Sequence, residues 1–509
     1  MSTFRFKKLL ILLFMLALAL VISTLLTSRY FPIDPDGANS SLVWRALLSE
    51  GLSAFRDWAP TPDNWYFTTY PVNFVFFLLM NNDGILPLML STSLFIGLTA
   101  FMLALVIYTV EKSWFALIAL LSLILFPAYV YTFGFAAHPF SHYSTNFFGV
   151  LTFALCFLNL KRNSTTLAVV CSLIALLASI SDPWLLATYF LPLLLVQAYF
   201  AWKGSLQKKI PVIFAVSFIL SMSHVVQRLF GLPIQRFHLM PFDQWGVNTE
   251  WAIHILGKSL NILFVDSPYA YVISLLVWVV LFVYSFLLCL RKGKEALFVA
   301  GFSLLTIAAI VSSFIISYDS PAEISARFFV NVICFAIALS ALGYAFSKKW
   351  PVVIVFALFI SSSLYSYQQN KTPIYDQQQQ TYDYINFLEK NNLTFGYGDY
   401  WKLSNNVNWL SDGRIHISPV LFDTTDNRIL FDTVRLQTMK SWLTDDYVSK
   451  SPDRQFVAIP AVKSSEADTQ AISKLDAIRH QLGEPDEMLT FQDMTFFVYH
   501  HKIPLIKLR

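Results

Sequence analysis

Charged residues are scarce in this chain. Only 13% of its 509 residues are Asp, Glu, Lys or Arg, whereas soluble globular domains carry about 25%. Hydrophobic residues make up 56%, and the mean hydropathy is +0.55. This deficit excludes an ordinary soluble protein and indicates that lipid surrounds most of the chain. The net charge is only +4 and no basic run is present, so nucleic acid is excluded as a partner.

Cysteine is scarce as well, with four residues in the whole sequence. Each lies inside an apolar segment, as small buried hydrophobic side chains do, so we expect neither disulfides nor cysteine ligands to a metal. The four are Cys156, Cys171, Cys289 and Cys334. None follows Cys334, so no disulfide holds the C-terminal region.

Long apolar runs fill the first 367 residues. The first run, 9–27, is longer than a signal-peptide core and has the length of a membrane span, so we interpret it as uncleaved. The runs contain almost no ionisable residues and no internal repeat, which argues against a transporter. They predict about eleven transmembrane helices, at 9–27, 85–110, 114–135, 145–160, 165–180, 184–202, 210–230, 268–290, 296–317, 328–347 and 350–367.

Lys and Arg are unevenly distributed between the connectors of these runs. Short connectors rich in them, such as Lys161 with Arg162 and Lys348 with Lys349, alternate with longer connectors that contain few. The positive-inside rule places the basic connectors and the N-terminus in the cytoplasm. An odd number of spans then places the C-terminal region outside, together with the long first loop, and we expect function on that side.

The composition becomes polar after residue 367. The patterns there predict a small α/β fold. One polar-faced helix covers 377–380 and 382–392, a second helix covers Ala467–Gln481, and strands cover Leu393–Gly398, Arg414–Leu421, Gln455–Ile459 and Phe496–His500. We therefore predict a mainly α transmembrane domain at 1–367 and an extracytoplasmic α/β domain at 368–509. The first outer loop, 28–84, belongs to the transmembrane domain in this prediction.

Two carboxylates open the first outer loop. Asp34 and Asp36 precede a predicted amphipathic helix at 39–51, with an Asn or Ser N-cap and a Gly stop. A carboxylate at a membrane surface can take the proton from a hydroxyl that attacks an activated sugar. We prefer Asp36 as this base because it lies nearer the helix and Gly37 permits close approach. Asp34 is the fallback, and either carboxylate can instead cap the helix.

An aromatic cluster closes the same loop. Trp58 and Tyr66 can stack on a sugar or a prenyl chain, and Asp63 and Asn64 can bind sugar hydroxyls. The same residues also fit an interfacial aromatic belt and a plain Pro-Asp-Asn turn. Asp182 is a further candidate for binding the acceptor, although Asp before Pro also fits a helix N-cap.

Cationic and imidazole side chains lie at the outer ends of later spans. His138 and His142 are one helical turn apart and can bind a phosphate, whereas a metal needs further ligands that are not visible nearby. Arg327 and Arg236 can pair with a lipid phosphate or simply reach the interface.

These features resemble the GT-C superfamily of integral-membrane glycosyltransferases, which use polyprenyl-phosphate sugars. The resemblance rests on the acidic residue after the first span, the amphipathic helix and a group of short motifs. The motif residues are Trp58, Asp63, Asn64, Tyr66, Phe67 and Pro71, with Ser181–Pro183, Ser325–Phe328 and Gly396–Trp401. The resemblance implies a GT-C-like fold and an inverting hexosyl transfer outside the membrane, with a loop Asp as base and basic residues on the donor phosphate.

The suspected relatives are O-antigen glucosyltransferases of the bacterial inner membrane. The implied partners are a polyprenyl-phosphate sugar donor, a glycan or lipid-linked acceptor, the lipid bilayer, and a donor flippase and donor synthase. No cofactor is required, and a divalent metal stays an open alternative that the sequence does not indicate. The alternative is a membrane glycan polymerase or ligase, and a lipid or sugar transporter is a third hypothesis.

Overall fold

The computed structural model describes residues 2–134, 136–346, 349–369, 374–423, 426–461 and 469–505. The chain divides into two compact units that interleave along the sequence. The helical unit comprises Met1–Phe31, Pro62–Phe76 and Pro87–Thr372, and the sheet unit comprises Pro32–Thr61, Phe77–Leu86 and Pro373–Arg509. Two segments of the first loop therefore belong to the same unit as the C-terminal region.

Seven helices of the described chain are long and apolar enough to cross a membrane: Leu9–Tyr30, Ile85–Glu111, His142–Arg162, Pro268–Cys289, Lys294–Ser317, Glu323–Phe346 and Lys349–Gln369. Shorter apolar helices run over Thr69–Met80, Thr165–Ser181, Leu186–Trp202 and Lys209–Met222. Further helices cover Phe115–Ser122, Ala128–Thr132, Val225–Phe230 and Phe242–Ser259. This architecture confirms the predicted mainly α, polytopic membrane protein.

The predicted span at 114–135 is wrong as one helix, because the chain breaks it into Phe115–Ser122 and Ala128–Thr132. Pro127 has no N–H and disfavours a helical conformation at Phe126. Tyrosine hydroxyls bind the carbonyls that the break leaves free: Tyr131 donates to Ile124 at 2.6 Å, and Tyr367 donates to Phe126. Buried hydroxyls thus replace the missing helical hydrogen bonds.

The interior of the helical unit is rich in aromatic rings. Phe153, Phe302 and Phe335 pack with ring centroids 4.7 to 5.1 Å apart. Tyr189 reaches this group because Gly149 has no side chain, since a Cβ there would lie 2.3 Å from the Tyr189 ring. Small residues of this kind let membrane helices approach closely.

The sheet unit is built on five strands: β1 (Phe395–Gly398), β2 (His416–Pro419), β5 (Gln455–Pro460), β6 (Glu487–Phe491) and β7 (Met494–Tyr499), in the order β2-β1-β5-β7-β6. The pairs of β1 with β2 and β5 are parallel, and those of β7 with β5 and β6 are antiparallel. A separate hairpin joins β3 (Leu421–Asp423) to β4 (Arg428–Leu430).

The buried strands of the sheet were predicted from the sequence more successfully than the partly exposed edge strand β6. The central strands β1 and β5 are almost fully buried and match the predicted strands Leu393–Gly398 and Gln455–Ile459. Strand β7 matches Phe496–His500, and β2 lies within Arg414–Leu421. The edge strand β6 alternates between half-buried and exposed positions and was not predicted.

Helices complete the sheet unit. The helix predicted over 377–380 and 382–392 is observed as Ile374–Lys390, and it packs Phe387 against Phe491 with ring centroids 4.5 Å apart. The helix predicted at Ala467–Gln481 is observed as Thr469–Leu482, and residues 467 and 468 lie outside the described residues. Short helical turns cover Ala54–Asp57, Tyr400–Ser404, Asn405–Leu410, Lys440–Leu443 and Asp445–Ser449.

The amphipathic helix of the first loop is confirmed as Asn39–Glu50, and Gly51 ends it with a φ of +67°. The predicted side-chain N-cap is wrong, because Ala38 occupies that position and Asn39 is already helical. Arg45 anchors this helix, since its guanidinium donates to both Asp83 carboxylate oxygens at 2.5 and 2.9 Å. It also donates to two main-chain carbonyls of the helix Asn405–Leu410, each at 3.1 Å.

Candidate active site

The two loop carboxylates have different surroundings in the sheet unit. Asp34 forms a tight turn, in which its Oδ1 accepts the Gly37 N–H at 2.9 Å. Asp36 accepts the Asn39 N–H with its main-chain carbonyl at 3.2 Å, which leaves the carboxylate to other partners. Both residues are half-buried. The Asp34 side chain therefore shapes the turn that presents Asp36.

The Asp36 carboxylate is held by a tyrosine. The Tyr400 hydroxyl lies 2.8 Å from Asp36 Oδ1 and 3.0 Å from Gln437 Oε1. Burial, and then the nearby charge of Asp36, raise the pKa of Tyr400 well above its usual value. The Tyr400 hydroxyl therefore keeps its proton and can donate it in a hydrogen bond to the Asp36 carboxylate.

A guanidinium group lies against the same tyrosine. The Arg435 guanidinium carbon is 3.2 Å from the centroid of the Tyr400 ring and 5.4 Å from that of Trp401. Burial lowers the pKa of Arg435, but an arginine remains charged because its usual pKa is so high. Asp36 therefore lies near a fixed positive charge, and Trp401 contributes a ring that is 57% exposed.

Local backbone features place these partners. Tyr400 begins a π-helical turn, a feature frequent at functional sites. The Asp399 carboxylate starts that turn by accepting the main-chain N–H groups of Trp401 and Lys402. Gln437 has a φ of +65°, and its N–H donates to the Ala59 carbonyl at 2.6 Å. The turn Tyr400–Ser404 and a segment around 437 thus meet the first loop within one unit.

A second polar cluster lies in the helical unit. His142 Nδ1 is 2.7 Å from Asp182 Oδ2, and the imidazole stacks on Trp184 with centroids 5.2 Å apart. Asp182 is 1% exposed, and its other oxygen accepts the Trp184 N–H at 3.0 Å. The Phe328 ring lies 4.9 Å from the His142 ring. The carboxylate fixes the imidazole, so only Nε2 is left for a ligand.

The end of the first loop packs beside this cluster. Asn64 donates to the Ile180 carbonyl at 2.8 Å and is 1% exposed, so its side chain serves the loop structure. Trp65 has a φ of +62° and lies 5.9 Å from Phe140 in an edge-on contact. The Phe67 N–H donates to Ser181 Oγ at 2.7 Å. A left-handed tryptophan is unusual and is retained only where the surroundings hold it.

Other predicted site residues have separate surroundings. His138 is buried and accepts the Phe140 N–H with its Nδ1 at 2.9 Å, whereas His142 is paired with Asp182. Trp58 is 1% exposed and packs inside the sheet unit. Asp63 and Tyr66 are half-buried, and burial raises the pKa of Tyr66 above its usual value. The residues described here contain no group of three or more His, Cys, Asp or Glu that can hold a metal.

The two predicted arginines differ in their environment. Arg327 is half-buried on the 3₁₀-helix Glu323–Phe329, with its guanidinium 5.2 Å from the Phe328 ring. Its Nε is buried and has no hydrogen-bond partner among the described residues. Arg236 is exposed and lines an open cavity of about 610 Å³ with Arg228 and His224. Arg327 therefore carries a donor group that a ligand can satisfy.

Sequence reasoning missed the residues that hold Asp36. Tyr400 lies in the stretch Gly396–Trp401, which the resemblance had singled out, so one signal pointed to it. Arg435 and Gln437 carry no local signal, because they lie in an irregular segment far from the first loop.

No protein-family model matches the sequence, and no curated protein matches it. Among solved structures, the chain is similar to the crystal structure of ArnT from Cupriavidus metallidurans bound to undecaprenyl phosphate. The two chains share 11% sequence identity with a TM-score of 0.55, and the match covers 96% of this chain and 97% of that chain. The similarity confirms the predicted fold class: this polytopic membrane protein has the fold of ArnT.

Proposed function

We propose that the chain is a GT-C-type membrane glycosyltransferase, and that it moves a hexose from a polyprenyl-phosphate donor to a hydroxyl of a cell-surface glycan or lipid-linked acceptor. The observation that carries this proposal is the Asp36 carboxylate held by the Tyr400 hydroxyl at 2.8 Å. A lipid-linked donor is supported by the undecaprenyl phosphate bound to ArnT, whose fold this chain has. Because a fold alone does not specify a reaction, the proposal depends on the residues of the candidate site, Asp36 and Tyr400 above all.

In the proposed reaction, Asp36 takes the proton of the acceptor hydroxyl while that oxygen attacks C1 of the sugar. The bond between C1 and the phosphate oxygen breaks, and the prenyl phosphate leaves with the electron pair. A single displacement of this kind inverts the configuration at C1. The phosphate is already a good leaving group, so the step needs no metal or cofactor.

The donor phosphate is assigned to the helical unit. Arg327 has a buried Nε without a partner among the described residues, and a guanidinium binds phosphate through paired hydrogen bonds. His142 can add a contact through Nε2, because Asp182 occupies Nδ1. Arg236, which is exposed, is the weaker candidate, and His138 already accepts a main-chain N–H.

The proposed setting is the outer face of a bacterial inner membrane, with the N-terminus in the cytoplasm and the sheet unit in the periplasm. A flippase and a donor synthase would supply the prenyl-linked sugar. O-antigen or another surface polysaccharide is the proposed acceptor class, and Asp63 and Tyr66 are the proposed side chains for binding sugar.

Donor binding by wild-type protein tests the proposed donor class, and donor binding by the Arg327→Ala variant tests whether Arg327 binds the donor phosphate. With labelled prenyl-phosphate hexose and protein in nanodiscs, we expect wild-type protein to bind the donor and hydrolyse it slowly without acceptor. Removing Arg327 should weaken binding about 10- to 100-fold, the value of a charged hydrogen bond. The exposed Arg162, at the far end of the helix His142–Arg162, provides the control Arg162→Ala. Absence of donor binding by wild-type protein would contradict the proposed function.

The Tyr400→Phe variant should slow transfer. It removes the hydroxyl that lies 2.8 Å from Asp36 Oδ1, so the proposed base loses this hydrogen bond. We expect kcat/KM to fall about 10- to 100-fold, the effect of losing a hydrogen bond to a charged group, when product formation from labelled prenyl-phosphate hexose is measured. Tyr397 has a buried hydroxyl without a hydrogen-bond partner in the described chain, so Tyr397→Phe is the matched control. An unchanged kcat/KM would exclude this role of Tyr400.

A further inference from the structure

A separate cavity of about 150 Å³ lies in the helical unit, outside the residues assigned above. It is formed by the helix Ala128–Thr132, the segment 258–266 and the last turns of the helix Lys349–Gln369. The sequence places these three regions on the same face of the membrane as the first loop. Its aromatic lining consists of Tyr129, Phe133, Phe264, Tyr271 and Tyr365.

The lysine that lines this cavity is already paired with a carboxylate. Lys258 Nζ lies 3.1 Å from Glu323 Oε1, which is also 3.2 Å from His254 Nε2. The same ammonium lies 4.6 Å from the centroid of the Tyr129 ring. Asp266, also in the lining, adds a negative charge. A phosphate would meet the Asp266 carboxylate and a lysine whose charge Glu323 already neutralises, so the cavity suits a neutral ligand better than an anion.

The rings and the polar groups together suit a sugar. Phe264 and Tyr365 stand edge to face, with centroids 5.7 Å apart, and are 46% and 39% exposed. Such rings offer flat apolar surfaces, while Asp266, Gln369 and Lys258 offer hydrogen bonds to hydroxyls. The cavity is smaller than the roughly 300 Å³ at which pockets for drug-sized ligands begin, so it has room for one ring.

We propose that this cavity binds one neutral pyranose ring of the acceptor glycan, an inference that rests on the proposed transferase function. The donor fits less well, because its sugar carries a phosphate that Asp266 would repel and that Lys258, already paired with Glu323, would attract only weakly. Glu323 holds Lys258 and lies on the same short helix as Arg327, Glu323–Phe329. One short helix thus carries both the residue that orders the cavity and the residue assigned to the donor phosphate.

Saturation-transfer NMR with the full-length protein in zwitterionic nanodiscs tests this assignment. The probes are methyl β-D-glucopyranoside, methyl β-D-galactopyranoside and, as an anion, glucose 1-phosphate. We expect at least one neutral glycoside to bind more tightly than glucose 1-phosphate, and Tyr365→Ala to weaken that binding about five-fold. Tyr284 has a similar exposure, 43%, and does not line the cavity, so Tyr284→Ala should bind normally.

Three results would overturn the inference. These are no binding of either neutral glycoside, equal binding by wild-type protein and Tyr365→Ala, or tighter binding of glucose 1-phosphate. The first two would assign the rings to the interfacial aromatic belt, and the third would make the cavity an anion site. The Asp36→Asn variant separates the two proposals, because it should lose transfer and keep glycoside binding. If it kept transfer while the cavity bound glycoside, the assigned base would fail and the sugar site would stand.

Discussion

Replacement of Asp36 by Asn is expected to abolish glycosyl transfer while the protein stays folded and inserted. An amide has the size of the carboxylate but cannot take the proton of the acceptor hydroxyl. Loss of a general base costs about 10²- to 10⁴-fold in rate. The Tyr400 hydroxyl can still donate to the amide oxygen, so its contact of 2.8 Å is compatible with the variant. Product formation from labelled prenyl-phosphate hexose, measured with excess acceptor, gives the rate.

Asp34→Asn is the matched control for this experiment. Asp34 lies two residues away and uses Oδ1 to accept the Gly37 N–H, a bond that an amide oxygen also makes. We therefore expect its rate to stay within about five-fold of wild type, since no charge of Asp34 enters the proposed step. If Asp34→Asn were inactive and Asp36→Asn retained more than a tenth of the rate, the two carboxylates would have to exchange roles.

Replacement of Arg45 by Ala is expected to cause the largest loss of stability. Its guanidinium binds Asp83 through two hydrogen bonds and two main-chain carbonyls through two more. The Arg45 and Asp83 side chains are only 25% and 16% exposed. Removing Arg45 leaves Asp83 partly buried and unpaired, which we expect to cost about 2 to 4 kcal/mol. For a unit of this size, the loss corresponds to a Tm about 5 to 15 °C lower.

Thermal unfolding in nanodiscs, followed by tryptophan fluorescence, measures this loss. The control is Lys450→Ala, because the pair of Lys450 with Asp446 is also short, at 2.7 Å, but its side chains are 70% and 81% exposed. Solvent screens such a pair, so we expect a change below about 0.5 kcal/mol. Equal shifts for the two variants would show that Arg45 does not anchor the first loop.

Sequence reasoning succeeded where local apolar patterns determine structure. Each of the seven long helices covers nearly all of a predicted span and most extend a few residues beyond it, because about 20 consecutive apolar residues leave a chain in lipid no other regular conformation. The central strand β5 was readable for a related reason, since burial on both faces gives a continuous hydrophobic run. Strand β6 was not predicted, because its positions are half-buried or exposed and its sequence therefore has no continuous hydrophobic run.

The candidate site was only partly predictable. The position of Asp36 soon after the first span made it a candidate in the sequence, but the tyrosine that holds it lies 364 residues later. Arg435 has no pattern of its own, and its position over Tyr400 depends on the completed fold. Pro127 was visible in the sequence, yet its break in the 114–135 span was overlooked because the flanking residues are uniformly apolar. Long-range contacts of this kind cannot be inferred from local sequence patterns.

The sheet unit contains both part of the first loop and the C-terminal segments, so it can fold only after the C-terminal segments have been synthesised. Asp57 accepts hydrogen bonds from Ser441, 384 residues further along the chain. At about 5 to 20 residues per second, a ribosome needs about 20 to 80 s to make that stretch. During this time the proposed base has neither Tyr400 nor Arg435 beside it. An unfinished chain therefore cannot assemble this carboxylate site, and we expect a chain that ends before Tyr400 to be inactive.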